Sequence, residues 1–391
     1  MRPIEVLYLL AVAACATAFT ARTGAGMFRR GAAAEGGGAP PAMGTAGRPR
    51  DVDPERMRRL IREGILSDRE ALFFKRRAPS SGGFFETSRR LRVLGTEAEV
   101  TVLWPESRKG AEEAALRGME EAWRGLEKLL EGEMERLRTA GLGPVPIAEP
   151  VGGLLREARR LHRETRGAFD VASAPLQDLW RRAAGEGRVP SESEIGEARS
   201  RSGWDLLEVT VTGAEKKGVG VGVDLGVLVR GHAVDRAVGD LETAGAAGAR
   251  IRLGEVLRAF GRFPGGAWEI QVPHPFRPGG ACARLRIPEG ALCLGGSRGR
   301  LLESGGRRLV PFPDPRTGGP PGGIFTAAVA GPAALDCAAW AEALGVLGPE
   351  GLELLPSGSG LEGFVAGGSP ESPRAEATPG FRDLLVSGPD F

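Results

Sequence analysis

Tyrosine is all but missing from this 391-residue chain, with one copy at Tyr8, and histidine is scarce at three copies. An excess of charge of one sign is also lacking. The 52 basic and 50 acidic residues leave a formal net charge of +2, which argues against nucleic-acid binding driven by global charge. Cysteine occurs four times; if Cys15 is set aside as a terminal anchor, Cys282, Cys293 and Cys337 remain, an odd number without paired spacing. Neither a disulfide framework nor a cysteine-based metal site is implied. No internal repeat is present, and the apolar run Val6 to Ala14 is too short to read as a membrane span.

Glycine and proline, in contrast, are abundant at 61 and 29 copies. They concentrate in Gly24 to Pro49 and Gly367 to Pro379, where small and turn residues bury too little apolar surface to offset the entropy of ordering. Those stretches read as linker and tail. Residues 1–22 read as an imperfect signal, and Val12-Ala13-Ala14-Cys15 has the small-residue pattern of a lipoprotein anchor. Cleavage around Ala16 to Ala18 and an uncleaved short anchor are the rivals. The expectation is export to the periplasmic side with membrane attachment through the N-terminus. Residues 23–90 then form a Gly/Pro-rich linker and a basic helical arm, with Arg56, Arg58, Arg59 and Arg62 ahead of Lys75, Arg76 and Arg77. A main domain is left at 91–366, followed by a tail at 367–391.

Within that domain the periodicities are mixed. Ala98, Val100, Val102 and Trp104 alternate with polar neighbours as in a half-buried strand, whereas Leu116, Met119, Trp123, Leu126, Leu130 and Leu137 line one face of a long helix from Glu112 to Arg138. Helices are also predicted at Leu154 to Thr165, Glu192 to Ser200 and Ala333 to Leu347. Short strands are predicted around Ile251, Trp268, Ala283, Ala291 and Ile324. Strands interleaved with segregated helices give an α+β class. Val219, Val221 and Val223 alternate with Gly218, Gly220 and Gly222 and read as a strand ending at Asp224. Leu228, Val234, Ala237, Val238 and Leu241 then recur at helical spacing, so Asp224 and Gly226 lie at a strand-to-helix turn, where the carboxylate is either a helix cap or a ligand group.

A second polar turn, Asp314-Pro315-Arg316-Thr317-Gly318, completes a distinctive set with Asp224-Leu225-Gly226-Val227-Leu228-Val229-Arg230-Gly231-His232-Ala233-Val234-Asp235. Together the two segments resemble the FAD:protein FMN transferase family (ApbE-like flavin transferases), whose usual strings are DLGGIAKGYAVD and HIxDPRTGxP. Leu94-Gly95-Thr96, Gly167-Ala168-Phe169-Asp170-Val171 and Ala377-Thr378-Pro379-Gly380-Phe381 follow the family's landmarks in order. The resemblance implies a T-fold-like architecture of β-rich layers flanked by helices. It also implies an activity in which FMN passes from FAD to a threonine or serine of a flavin-accepting redox protein, AMP leaves, and Mg2+ draws charge off the pyrophosphate. By the same resemblance Leu94, Gly95 and Thr96 would lie against the flavin, and Ala168, Phe169 and Asp170 would contact the dinucleotide. Asp224 would accept a hydrogen bond from FAD, Arg230 would stand where the family has lysine, and the carbonyl of Val227 and the side chain of Glu342 would face a metal.

Departures from the pattern cluster around that metal. The family's metal-binding aspartate falls on Ala338, and Asp336 lies about 200° from it on a helix of roughly 3.6 residues per turn. NLGGD becomes Arg252-Leu253-Gly254-Glu255-Val256, ATSG becomes Cys293-Leu294-Gly295-Gly296 with Arg300 retained beyond it, and Pro311 replaces the histidine before the DPRTG turn. Any aromatic cover on the flavin would have to be Phe or Trp. His162, His232 and His274 read as structural or exposed. These substitutions define the alternative: a catalytically degenerate member that binds FAD or a partner protein without transfer.

Overall fold

The architecture is taken from a computed structural model that describes residues 83–389, apart from 262, 264, 265, 299, 305 and 306. The expected signal or anchor at 1–22 and the helical arm lie outside the described residues. Among the described residues, no helix is long and apolar enough to cross a membrane.

Alternating side chains build the sheet. β1 (Phe84–Val93) and β2 (Thr96–Pro105) form an antiparallel hairpin, and Ala98, Val100, Val102 and Trp104 of β2 are buried, as a period of two requires. α1 (Glu112–Thr139) buries Leu116, Met119, Trp123 and Leu137 on one stripe. β3 (Gly143–Pro146), α2 (Val151–Glu164), α3 (Ala174–Gly185) and α4 (Glu192–Arg199) come next; a reciprocal capping box between Ser191 and Glu194 starts α4. β4 (Leu207–Thr210) and β5 (Gly213–Lys216) precede α5 (Gly226–Thr243), which leads to the hairpin of β6 (Gly248–Leu253) and β7 (Val256–Gly261). β8 (Trp268–Pro273), β9 (Ala281–Ile287), β10 (Gly290–Gly296), β11 (Leu302–Ser304), β12 (Arg307–Leu309) and β13 (Ile324–Gly331) follow. The described chain finishes with α6 (Ala334–Leu347), β14 (Glu362–Ser369), β15 (Ser372–Ala377), α7 (Pro379–Arg382) and β16 (Leu385–Ser387).

Eight strands make the main antiparallel sheet, in the order β1-β2-β6-β7-β10-β13-β14-β15. Its central strands are buried on both faces, and the period of two sorts their side chains. Cys293, Ala327, Val329 and Val365 pack with α1, α2, α5 and α6. Leu292, Leu294, Ala328, Ala330, Phe364 and Ala366 point the other way, into a second core with Ile270, Val272, Leu285 and Ile287 of the small sheet β16-β9-β8. The class is α+β, as the mixed periodicity predicts.

Small residues bring α6 onto this sheet almost backbone to backbone. A Cβ on Gly295 would stand 2.0 Å from the Ala341 carbonyl oxygen, and one on Gly345 would stand 2.5 Å from the Gly296 Cα. α5 approaches α6 in the same way. A Cβ on Gly231 would fall 2.6 Å from the Leu335 Cα, and one turn later the Asp235 carboxylate accepts the N–H groups of Ala334 and Leu335 at 2.8 and 3.1 Å. Asp235 thereby satisfies donors that the first turn of α6 leaves open, and it also pairs with Arg258 of β7.

Two expectations change. Residues 219–223 form no strand: the run leaves β5 through bends and turns, with Val221 buried and Val219 78% exposed. Its glycines serve close packing instead of a ladder, since a Cβ on Gly218 would meet the Leu206 side chain at 2.6 Å. The compositional boundary at 366/367 falls inside β14. The stretch beyond it pairs as β15, and β16 pairs with β9, while Phe381 of α7 stacks on Phe364 at 5.6 Å between ring centroids.

Candidate functional site

Three chain segments meet at the N-terminal end of α5. The β1–β2 turn consists of Leu94 and Gly95, with φ of 51° and 72°, a pair of left-handed residues whose twist suits a two-residue hairpin. The Gly95 N–H donates to Glu127 of α1 at 3.3 Å. Leu94 and Gly95 then join Glu127, Leu130 and Glu131 of α1, and Gly226 and Val229 of α5, around a cleft of about 150 Å³. That volume is below the roughly 300 Å³ at which drug-sized ligand pockets begin, so only part of a dinucleotide would be enclosed there. Thr96 extends the site towards the β6–β7 turn: a Cβ on Gly254 would stand 3.0 Å from its Oγ1.

Asp224 lies at the mouth of this cleft with its side chain 42% exposed. Its Oδ1 accepts the Gly226 N–H at 2.8 Å, and Oδ2 is 3.7 Å from an Arg181 guanidinium nitrogen. The carboxylate is therefore both the local turn-former and an accessible acceptor. Arg230, one turn into α5, folds back so that its Nη1 is 3.5 Å from where a Cβ on Gly226 would be. Glycine at 226 keeps this corner open.

Ala168, Phe169 and Asp170 are close by but turned inward, at 3%, 5% and 8% exposure. The Phe169 N–H donates to Thr165 Oγ1, and Asp170 Oδ1 accepts the Ala172 N–H. Burial pushes the Asp170 carboxyl up to about 7, against the opposing pull of the Ala172 N–H and the Arg159 charge. His162 Nδ1 is 3.7 Å from its Oδ2, and burial, followed by the Arg159 charge, lowers the imidazole below its ordinary range. The next residue links this loop to the cleft, because the Val171 carbonyl accepts the Asp224 N–H at 2.9 Å. In this arrangement the Asp170 loop supports Asp224 from behind.

The two positions expected to face a metal do not make a hard-cation cage. Val227 lies in the first turn of α5, where helix geometry directs a carbonyl to the amide four residues on. Glu342 is mid-helix in α6. Asp336 is taken up by Arg160 of α2, in keeping with its expected position round the helix. Among the described residues, no group of three or more His, Cys, Asp or Glu side chains is arranged to hold an ion. Magnesium is usually held by one or two carboxylates together with substrate phosphates and water, and here Ala338 stands where the resemblance places the carboxylate, leaving Glu342 as the remaining candidate. Cations stand nearby instead: Arg298 Nη1 is 3.4 Å from Glu255 Oε1.

The DPRTG turn is rigid for local reasons. The Asp314 carboxylate accepts from the Arg316 backbone N–H, Nε and Nη2, the Asp314 carbonyl accepts the Thr317 and Gly318 N–H groups, and Trp180 Nε1 donates to the Gly318 carbonyl. Arg316 meets the preceding loop at Gly167, where a Cβ would be 3.5 Å from its Cγ. His274 is buried, with Nδ1 accepting the Phe276 and Arg277 N–H groups, a structural role as expected. Sequence reading missed Glu127, Glu131, Arg181 and Arg298. The first two had one available signal, an i, i+4 acidic pair on α1. A groove of about 520 Å³, lined in part by Leu352, Phe364, Ala377, Thr378 and Arg382, lies by β14 to β16 and includes none of the predicted site residues.

A family model described as the ApbE family matches residues 94–365. The chain is 27% identical over 257 residues to the FAD:protein FMN transferase of Salmonella typhimurium, an alignment that covers 63% of this chain and 73% of that protein. It is also 27% identical over 255 residues to the Escherichia coli K12 protein of the same name, with the same coverage. Among solved structures, the flavinyl transferase ApbE of Pseudomonas stutzeri in its apo form is similar in fold. It has a TM-score of 0.66 at 24% identity and covers 79% of this chain and 100% of its own. The flavin transferase ApbE from Vibrio cholerae gives a TM-score of 0.67 at 18% identity, covering 78% of this chain and 100% of its own.

Proposed function

The chain belongs to the ApbE family, and from that premise we propose that it transfers FMN from FAD to a hydroxyl of a partner protein. In that reaction the acceptor oxygen of a threonine or serine forms a bond to the phosphorus of the FMN half. The bridging P–O bond breaks, AMP departs with the electron pair, and the hydroxyl proton is released. Such a transfer draws its rate chiefly from positioning and charge stabilisation.

The observation that carries this reading is the meeting of the Leu94–Gly95 turn with Gly226 at the start of α5. Two glycines, Gly95 and Gly226, with Asp224 and Arg230 beside them, offer close backbone approach, an acceptor and a cation to a dinucleotide. Asp224, braced by Val171, would orient the flavin half, and Arg230 would hold a phosphate with a fork of donors where a lysine would present a point charge. No step is assigned to a metal, because the carboxylate that the resemblance places at Ala338 is missing. The non-transferring alternative is the less supported, since relatives bearing the transferase name align across 63% of the chain.

Incubating purified protein with FAD and a redox-protein domain bearing a flavin-accepting threonine, with and without Mg2+, tests the proposal by in-gel flavin fluorescence. A covalent fluorescent band is expected. Its absence in both buffers, where another family member labels the same domain, would overturn the activity. Export and membrane attachment belong to the same proposal: Cys15→Ser should shift the protein from the membrane to the soluble fraction, and unchanged partition would remove the lipid anchor.

A further inference from the structure

Beside the cleft stands a group of charges of which the transferase reading uses only Arg230. Arg298 follows β10 with φ of 49°, a left-handed conformation that is unfavourable for a non-glycine residue and persists only where neighbours enforce it. Its N–H donates to Thr326 Oγ1 at 3.2 Å, and its Nη1 donates to the Leu294 carbonyl at 3.1 Å beside Glu255. The side chain is only 14% exposed, and among the described residues Nε and Nη2 make no hydrogen bond. A guanidinium has five donors, so most of this one's capacity is unspent in a partly dry place, where unsatisfied donors are costly.

The surroundings do not settle that cost. Arg300 lies two residues on, and its guanidinium is held below the usual range by burial first and by the Arg298 charge second. Glu342, Arg298, Glu255 and Arg230 all influence the buried Cys293 thiol, so these charges share one neighbourhood of the fold. Three cations and two carboxylates thus share this neighbourhood, with Arg298 and Glu255 in direct contact. Glu255 adjoins Gly254, on which Thr96 packs, so the cluster borders the hairpin cleft.

We infer that Arg298, with Arg300 and Arg230, forms a fixed clamp for the pyrophosphate of a dinucleotide, so that the anion is neutralised by guanidinium groups and binding needs no divalent ion. The inference rests on the transferase reading for its ligand. Arginine forks suit phosphate oxygens, and two arginines two residues apart suit two linked phosphates better than one.

FAD is the probe, its affinity for the full chain read from flavin fluorescence in EDTA and in Mg2+. Wild-type affinity should change less than about threefold between the buffers, and Arg298→Gln should weaken binding about tenfold or more in both, the loss expected for a charge-assisted hydrogen bond. Arg298→Lys should recover part of it. Arg300→Gln, on a more exposed side chain, should weaken binding severalfold and serves if Arg298→Gln does not fold. Tightening of the wild type by Mg2+ of about tenfold or more, no FAD binding in either buffer, or Arg298→Gln and Arg300→Gln binding like wild type would each overturn the clamp. FAD binding tightened about tenfold or more by Mg2+, with transfer observed, would sink the clamp and leave the transferase; metal-independent binding without transfer would do the reverse.

Discussion

Asp170 is a buried acid with an N–H donor on one side and a half-buried imidazole on the other, and that combination makes stability depend on pH. Its folded value of about 7 lies above an unfolded value near 3.8. The folded state therefore holds the proton more tightly, and the stability this contributes is full below about pH 4 and lost as pH rises to about 7. Asp170→Asn keeps an acceptor for the Ala172 N–H and removes the charge, so its melting temperature should vary less between pH 4 and 7 and should equal or exceed wild type at pH 8. Parallel melting curves for the two proteins would refute the buried-acid assignment. At this scale the motif residues were legible in the sequence. Leu94, Gly95, Asp224 and Gly226 do converge, with Gly95 suited to its left-handed turn and Asp224 capping the Gly226 N–H. The pairing of Arg298 with Glu255 was not legible, since a strand end and a hairpin turn far apart in the chain meet only through β7 and β10.

Secondary elements were legible wherever a periodicity had a partner to bury against. The stripe of α1 and the alternation of β2 were both present in the sequence for that reason. The same alternation misled at Val219 to Val223, where no neighbouring strand supplies a ladder and glycine follows the local packing. Gly231 and Asp235 are instructive in another way, since their family string points to a ligand while their contacts join α5 to α6. Gly231→Ala would push a methyl group into the Leu335 backbone, forcing the helices apart at a cost of about 1–3 kcal/mol. Asp235→Ala would strip two N–H groups at the start of α6 of their acceptor and leave Arg258 unpaired, for a loss of about 1–3 kcal/mol. Denaturant titration should register both losses, and an unchanged midpoint for either would contradict the packing described.

The whole molecule depends on its last strands. Ending the chain at residue 366 would cut β14, delete β15 and β16, and remove Phe381, which is fully buried against Phe364. Such a truncation should lose cooperative unfolding and bind a hydrophobic dye, whereas a well-folded product would mean that this segment is dispensable. Among the described residues, the edge strands of the eight-stranded sheet are β1 and β15. Exposed Arg90 and Arg92 stud the first, and Pro373, Arg374 and Glu376 the second. With a net charge of only +2, repulsion between molecules offers little defence against self-association. That defence falls instead to the rims, where a second copy seeking to extend the sheet would meet stranded charges or a proline without an N–H, so that each molecule is a poor template for the next.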